Sequence, residues 1–495
     1  VIKRKISIAD GRIINSELSD FVEIISDGKR EIIPNCIVLP GLSDSHCHVW
    51  GLGMLNSGMD ISGSETMIGT LKIAERNAFK KGDWLIGRGW NNELWIDKSM
   101  PDKYSADNIF PDIPMALTRV DGHAVWCNSK ALELAGISVD SINPVGGKIL
   151  KDTNNEPNGI LIDNAMNLIN SKIPEFSDEQ LENFILKGLD ICLKSGLTAV
   201  HDMDVSPRMV RIYMRLNERN MLPIRVFAFV SCQNNEVFDA DIKPFKSEMF
   251  SVTGIKLFAD GALGSFGAAL LNPYNDSPLE SGLLILNKED MLSTVNKSLE
   301  SGLDAAVHAI GDRAVREVLD VFEKVRKSKP HLKNSLRIEH SQTVHPSDLL
   351  RYKQSDVIAS VQAIHFTGDA MMADKRLGRQ RMTDSAYRWK SFLNAGVKLI
   401  GGSDFPIESH NPFKGIESFV ERTSKLDYAA ELESEKISLD EALTAYTVSP
   451  YESLGINDIG LIKKDFKADL IVVNPADRMG DYSIEAVYVN GQRAV

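Results

Sequence analysis

Residues 43–50 read Ser-Asp-Ser-His-Cys-His-Val-Trp (SDSHCHVW), with His46 and His48 on either side of Cys47. They follow a β-prone apolar run, Asn35-Cys36-Ile37-Val38-Leu39, and the turn-like pair Pro40-Gly41. In a strand, residues two apart point to the same face. His46 and His48 therefore project side by side, with Cys47 turned away. Two neutral imidazoles on one face can share a metal ion. On its own the pair reads equally well as hydrogen-bonding histidines at a strand end, so its meaning depends on the rest of the chain.

Downstream, short apolar segments alternate with amphipathic helical ones. Candidate strands are 197–200, 224–230, 253–258, 304–307, 336–339, 357–361 and 397–400, and candidate helices include 291–301 and 314–327. Strands alternating with helices mean a parallel α/β sheet. With the strand that carries His46 the count is eight, which predicts a closed (β/α)8 TIM-like barrel with its chemistry at the C-terminal strand ends. The long stretch between His48 and Leu197 exceeds one crossover. It contains strand-like 84–87 and 115–119 and helical 66–80 and 180–194, so an inserted subdomain over about residues 55–190 is expected within a barrel of 43–449. The first and last segments carry short alternating strands, too few at either end to form a core alone. Residues 1–42 and 450–495 are therefore expected to join in one small β-sandwich-like domain.

The totals are those of a globular chain: 495 residues, 43% hydrophobic and 25% charged. A formal net charge of −12 argues against nucleic acid as a partner. Five scattered cysteines without a C-x-x-C suggest a reducing compartment and no thiolate zinc site. The start, VIKRKISIADGRI, lacks an apolar h-region, and no stretch is long and apolar enough to span a bilayer. The expectation is a cytoplasmic protein with a small-molecule substrate and no membrane partner; a homodimer is the assembly left open.

Polar residues fall at the strand ends. His308 closes the fifth strand and His340 the sixth; Asp404 follows the eighth, and Lys256 sits inside the fourth. Each alone has an ordinary explanation: a packed histidine, an N-cap aspartate, a snorkelling lysine. A barrel, however, brings all strand C-termini round one mouth. Four imidazoles and a carboxylate suit zinc, iron or manganese and exceed one tetrahedral site with an open position, so two metals fit. A lysine buried there loses its charge. As a neutral amine it can take up carbon dioxide to form a carbamate, a two-oxygen anionic bridge.

This constellation resembles the amidohydrolase superfamily: His-x-His on strand one, Lys on four, His on five, His on six and Asp on eight. Asp121-Gly122-His123 with Asn128-Ser129, Lys256-Leu257-Phe258-Ala259-Asp260-Gly261-Ala262-Leu263-Gly264-Ser265, and Gly402-Ser403-Asp404-Phe405-Pro406 resemble more specifically the amidohydrolase 3 branch, that of N-substituted formamide deformylase and YtcJ-like proteins. The ending from Ile459 to Leu470 is similar to the family's G-x-I-x-x-G-x-x-A-D-L, except that Lys464-Asp465 replaces the usual glycine. The resemblance implies two divalent metal ions, most often zinc. His46, His48 and Asp404 would hold the more buried one, His308 and His340 the other, and carbamylated Lys256 would bridge them. It further implies a metal-bridging hydroxide as nucleophile, Asp404 as proton shuttle, and hydrolysis of a non-peptide carbon–nitrogen bond.

Substrate contacts are expected from Trp90, His123, Gln362 and His365, with Trp126 adding apolar surface, for a small, uncharged, partly apolar amide or formamide. His201 ends a strand but is not required by the metal pattern. Two other readings stay open: a mononuclear deaminase of the same superfamily, with one metal and unmodified Lys256, and a regulatory or binding protein on a hydrolase scaffold.

Overall fold

Eight parallel strands run in sequence order round one sheet: β1 (Leu42–Cys47), β2 (Leu197–Val205), β3 (Arg225–Ser231), β4 (Phe250–Phe258), β5 (Asp304–Ala309), β6 (Leu336–His340), β7 (Val357–Val361) and β8 (Leu399–Gly401). The computed structural model describes residues 3–120, Gly122, 124–144 and 147–495. The barrel strands are buried nearly throughout, which is why they read as continuous apolar runs rather than alternations. The ring returns on itself where the Asp404 N–H donates to the His46 carbonyl at 2.7 Å and the His48 N–H to the Phe405 carbonyl at 2.8 Å. The TIM-like barrel expected from the strand count is thus present. Strand β2 runs five residues past its expected end, carrying His201 and Asp202 within the strand.

Amphipathic helices follow the strands. Pro207–Glu218 starts on Ser206, whose hydroxyl accepts the Met209 N–H, with proline at the first helical position. Asp312–Ser328 buries Val315, Val318, Leu319, Phe322 and Val325, a recurrence at three and four that lays one face on the barrel. Leu439–Tyr446 begins with a reciprocal Ser438–Glu441 capping box.

The two chain ends form two four-stranded sheets. One runs Arg12–Leu18, Arg4–Ala9, Val22–Ser26, Lys29–Ile33; the other runs Gln492–Arg493, Ser483–Val489, Leu470–Asn474, Ile37–Pro40. Asp10-Gly11 and Asp27-Gly28 make two-residue hairpin turns with positive φ at both positions, the geometry that matches strand twist. Ile6, Ile8, Ile13, Val22 and Ile24 from one end share a core with Leu470, Val472, Ala486 and Tyr488 from the other. The Lys467-Ala468-Asp469-Leu470 stretch has a structural purpose here. Asp469 accepts two hydrogen bonds from the buried Arg225 guanidinium at the start of β3, at 2.8 and 3.1 Å, and also the Asn490 N–H.

Residues 50–188 make a second compact unit. Its six-stranded sheet has the order Gly147–Lys151, Pro157–Asp163, Ala124–Cys127, Met115–Arg119, Trp84–Trp90, Phe79–Lys81. Trp90, Trp95 and Trp126 pack ring to ring inside it, with centroids 6.2–6.3 Å apart. Asn128 is fully satisfied there: its amide donates to the Phe110 and Ile113 carbonyls and its oxygen accepts the Met115 and Ala131 N–H groups. All five cysteines are buried free thiols. Among the described residues no helix is long and apolar enough to cross a membrane.

Candidate metal centre

The strand ends gather His46, His48, His308, His340 and Asp404 around one point. The His46 ring lies 5.7 Å from that of His48 and 4.8 Å from that of His340, and the His340 ring lies 4.4 Å from that of His308. His46 Nδ1 sits 2.6 Å from a Glu339 carboxylate oxygen, and His48 Nδ1 sits 3.0 Å from the Met203 carbonyl. Both partners only accept, so both Nδ1 atoms donate and both Nε2 lone pairs turn to the mouth. There they meet Asp404 Oδ1, at 3.5 Å from His46 and 3.2 Å from His48.

Lone pairs facing a carboxylate repel unless a proton or a cation lies among them. Burial, with the nearby Lys256 amine, pushes the His46 pKa down to about 4, so this imidazole is neutral. For His48, burial opposes protonation, but the hydrogen bond and charge of Asp404 raise its pKa. A divalent cation in place of a His48 proton would satisfy all three groups at once, and two imidazoles with a carboxylate are a donor set for zinc, manganese or iron.

Further groups point the same way. Lys256 is 1% exposed and its Nζ has no hydrogen-bond partner. Burial draws its pKa below the usual lysine value, against the pull of Glu339 and Asp404. His308 Nε2 and His340 Nδ1 are also buried without partners. Burial and Lys256 hold the His308 pKa near 3, again a neutral ligand form. Buried polar atoms are nearly always paired, so these orphans at the barrel mouth make it a candidate binding site. The residues present fit a divalent metal ion.

The supports are local. Glu339 is clamped by Arg337, whose Nε lies 2.6 Å from one of its oxygens. The same guanidinium donates to the Ser45 carbonyl, the Ser360 hydroxyl and His201 Nδ1. Burial resists the Glu339 charge, but Arg337 and His46 outweigh it and keep the carboxylate ionised. Asp44 accepts the N–H groups of His46 and Ser403 and the Ser403 hydroxyl proton, locking β1 to the segment that presents Asp404. Asp260 accepts three backbone N–H groups, from Ala269, Ile310 and Gly311, which fastens the loop after β4 beside the end of β5. The Ala259-Asp260-Gly261 stretch is thus scaffolding under His308.

His340 and Asp404 both take positive φ, 71° and 61°. Such conformations cost about 1–3 kcal/mol each and cluster at functional sites. At His340 the left-handed turn breaks the alternation of β6, so that consecutive residues, Glu339 and His340, both serve the mouth.

Of the expected substrate residues, Gln362 and His365 lie beside this centre. They line, with His340, Gln342 and Tyr387, a cavity of about 10 Å³, on the scale of one water. Both amide atoms of Gln362 and the Nε2 of His365 are buried without partners. Trp90 is 1% exposed within the core of the 50–188 unit, its indole N–H donating to the Leu117 carbonyl at 2.7 Å. His123 lies outside the described residues. Glu339, Arg337, Asp44 and Asp260 were not singled out from the sequence. The available signal was Arg337-x-Glu339, two charges on one face of an otherwise apolar strand.

The model of the amidohydrolase family matches residues 34–495. The chain is 32% identical to Protein LONG AFTER FAR-RED 3 of Arabidopsis thaliana, over 98% of this chain and 87% of that one. It is also 32% identical to the Bacillus subtilis protein YtcJ, named as an amidohydrolase, over 92% and 88%. Identity to the N-substituted formamide deformylase of Arthrobacter pascens is 24%, over 92% and 87%. Among solved structures, an uncharacterized metal-dependent hydrolase from Pyrococcus horikoshii superposes with a TM-score of 0.80 at 26% identity, covering 96% of this chain and 95% of that one.

Proposed function

The chain belongs to the amidohydrolase family, and on that premise we propose that it is a metal-dependent hydrolase of carbon–nitrogen bonds in small, uncharged, partly apolar amides or formamides. The observation that carries this reading is the convergence of neutral imidazoles, an unpartnered buried amine and a carboxylate at the barrel mouth. His46, His48 and Asp404 would hold one divalent ion, and His308 and His340 a second. Lys256, with no proton-accepting partner of its own, would join the two as a carbamate. When bound, such ions, zinc first among them, supply Lewis acidity to the scissile carbonyl and lower the pKa of water.

The chain's own residues do the rest. Glu339 holds the His46 Nδ1 proton and so keeps the Nε2 lone pair directed at the mouth. Asp404 accepts the proton of the attacking water on a carboxylate oxygen and delivers it to the departing nitrogen. Gln362, whose buried amide has no internal partner, offers its NH2 as donor and its carbonyl oxygen as acceptor to the substrate. The A. pascens relative, named for deformylation of N-substituted formamides, supports the substrate class.

The test is a panel of N-substituted formamides, N-acyl amines, cyclic amides and, as a control class, amino-substituted heterocycles, incubated with protein loaded with zinc, manganese or cobalt and scored by amine or ammonia release. Turnover that stops on chelation and returns with metal is expected. Release of ammonia from an amino-substituted ring, with one metal per chain, would instead identify the mononuclear deaminase. A metal-replete protein inert to every member of the panel sinks the reading.

A further inference from the structure

His365 opens the helix Ala363–Leu377, immediately after β7. It is 9% exposed, yet its Nε2 has no hydrogen-bond partner. That atom lies 3.8 Å from Asp404 Oδ2, too far for a hydrogen bond and suited to a shared third party between them. The His340 ring stands nearly parallel to that of His365, at 12° and 6.1 Å between centroids, and its Nδ1 is likewise buried and unpartnered. Among the described residues, two trios of metal-ligating side chains have donor atoms all within 4.8 Å of one another. One is His46, His48 and Asp404; the other is His340, His365 and Asp404.

We propose that His365 is a metal ligand, forming with His340 and Asp404 a second cation site on the β7 side of the mouth. This rests on the reading that metal binds at this mouth, and it assigns the second ion's donors differently from the family resemblance, which pairs His340 with His308 and gives strand seven none. The two trios share one residue and divide its atoms. Asp404 Oδ1 faces His46 and His48, while Oδ2 faces His365. A carboxylate offers about four lone-pair positions over its two oxygens, enough for a cation on each side.

The donor set is two imidazoles and one carboxylate, with positions left open. It suits zinc, manganese or ferrous iron rather than calcium or magnesium, which prefer all-oxygen sites. The His365 backbone is fixed in the first turn of a 15-residue helix, where its own N–H donates to the Gln362 carbonyl, so the ring is presented from a rigid element. A purely packing role leaves Nε2 buried and unpaired, at a cost in stability. A cation removes that cost.

The experiment strips the full-length protein with chelator and titrates it with Co(II). It reads metal per chain by elemental analysis, affinity by competition with a chromophoric chelator, and the visible Co(II) spectrum. The variants are His365→Phe, which keeps an aromatic ring but cannot ligate, His365→Asp, which can, and His308→Ala. Wild type is expected to take two equivalents. His365→Phe should keep the tighter one and weaken the other by about tenfold or more, with loss of its spectral band, and His365→Asp should restore the second equivalent. His365→Phe with both equivalents and an unchanged spectrum overturns the inference. So does a wild type that takes only one. If His308→Ala alone loses the second equivalent, the inference fails while the hydrolase reading stands. A wild type that binds no metal removes both.

Discussion

Glu339 accepts the Nδ1 proton of His46 at 2.6 Å, and that single contact decides which nitrogen of His46 faces the barrel mouth. Arg337 in turn holds Glu339, so three side chains from β1 and β6 set one lone pair. Carboxylates that orient a ligating histidine contribute typically 10–100-fold to metal affinity or activity. Glu339→Gln should therefore weaken the tighter metal equivalent by about that factor, with Arg337 left short of a counter-charge. Competition titrations on wild type and variant check it. Equal affinities would show that His46 keeps its tautomer without help.

Asp404 is expected to matter more for rate than for the enclosed cation. In Asp404→Asn a carbonyl oxygen still faces His46 and His48, but the side chain can no longer carry a proton. Metal at the His46–His48 position should be retained while kcat falls by roughly a hundredfold or more, the scale of lost general acid–base catalysis. Near-normal turnover of this variant would remove Asp404 from the proton path.

Lys256 yields a labelling prediction. Its amine is buried and unpaired, a state that favours reaction with carbon dioxide over protonation. Metal-loaded protein equilibrated with 13C-bicarbonate should show a carbamate carbon by NMR, absent from Lys256→Met. Activity lost in Lys256→Ala should return in part with a short carboxylic acid such as acetate or propionate, which supplies the missing two-oxygen bridge. No carbamate signal in a metal-replete sample would count decisively against the modification.

The barrel was legible because parallel strands buried on both faces leave unbroken apolar runs, and a polar residue ending such a run is conspicuous. His308, His340 and Asp404 stand out on that basis. Glu339 did not, because period-two reasoning lets only one of two consecutive strand residues face the mouth. The positive φ at His340, which admits both, leaves no mark in the sequence. Trp90 shows the opposite difficulty. A tryptophan beside glycines suits a pocket wall as well as a core, and only packing against Trp95 and Trp126 places it in the core of its unit. Asn128 belongs to a motif that resembles a functional signature, yet its amide and carbonyl are consumed by four backbone groups.

The last prediction concerns the join between the barrel and the paired chain ends. Arg225 is almost fully buried and its guanidinium meets Asp469 through two hydrogen bonds, with Glu248 accepting at 2.8 Å and Asn490 also accepting. Burial disfavours the Arg225 charge, but Asp469 reverses the balance and keeps it firmly protonated. Removing one member of a buried pair strands the other, at about 3–5 kcal/mol, whereas replacing both with apolar groups of similar size is often neutral. Asp469→Ala should accordingly lower the urea midpoint sharply, and Arg225→Met with Asp469→Leu should recover most of the loss. The double variant will still lack the Asn490 N–H acceptor and the contact to Glu248, so complete recovery is not expected. If the double variant is no more stable than Asp469→Ala, the pair works through those neighbouring hydrogen bonds and not through charge. In neither case should the metal content at the mouth change, because the hydrogen-bond partners of Arg225 and Asp469 include none of the side chains proposed to hold metal.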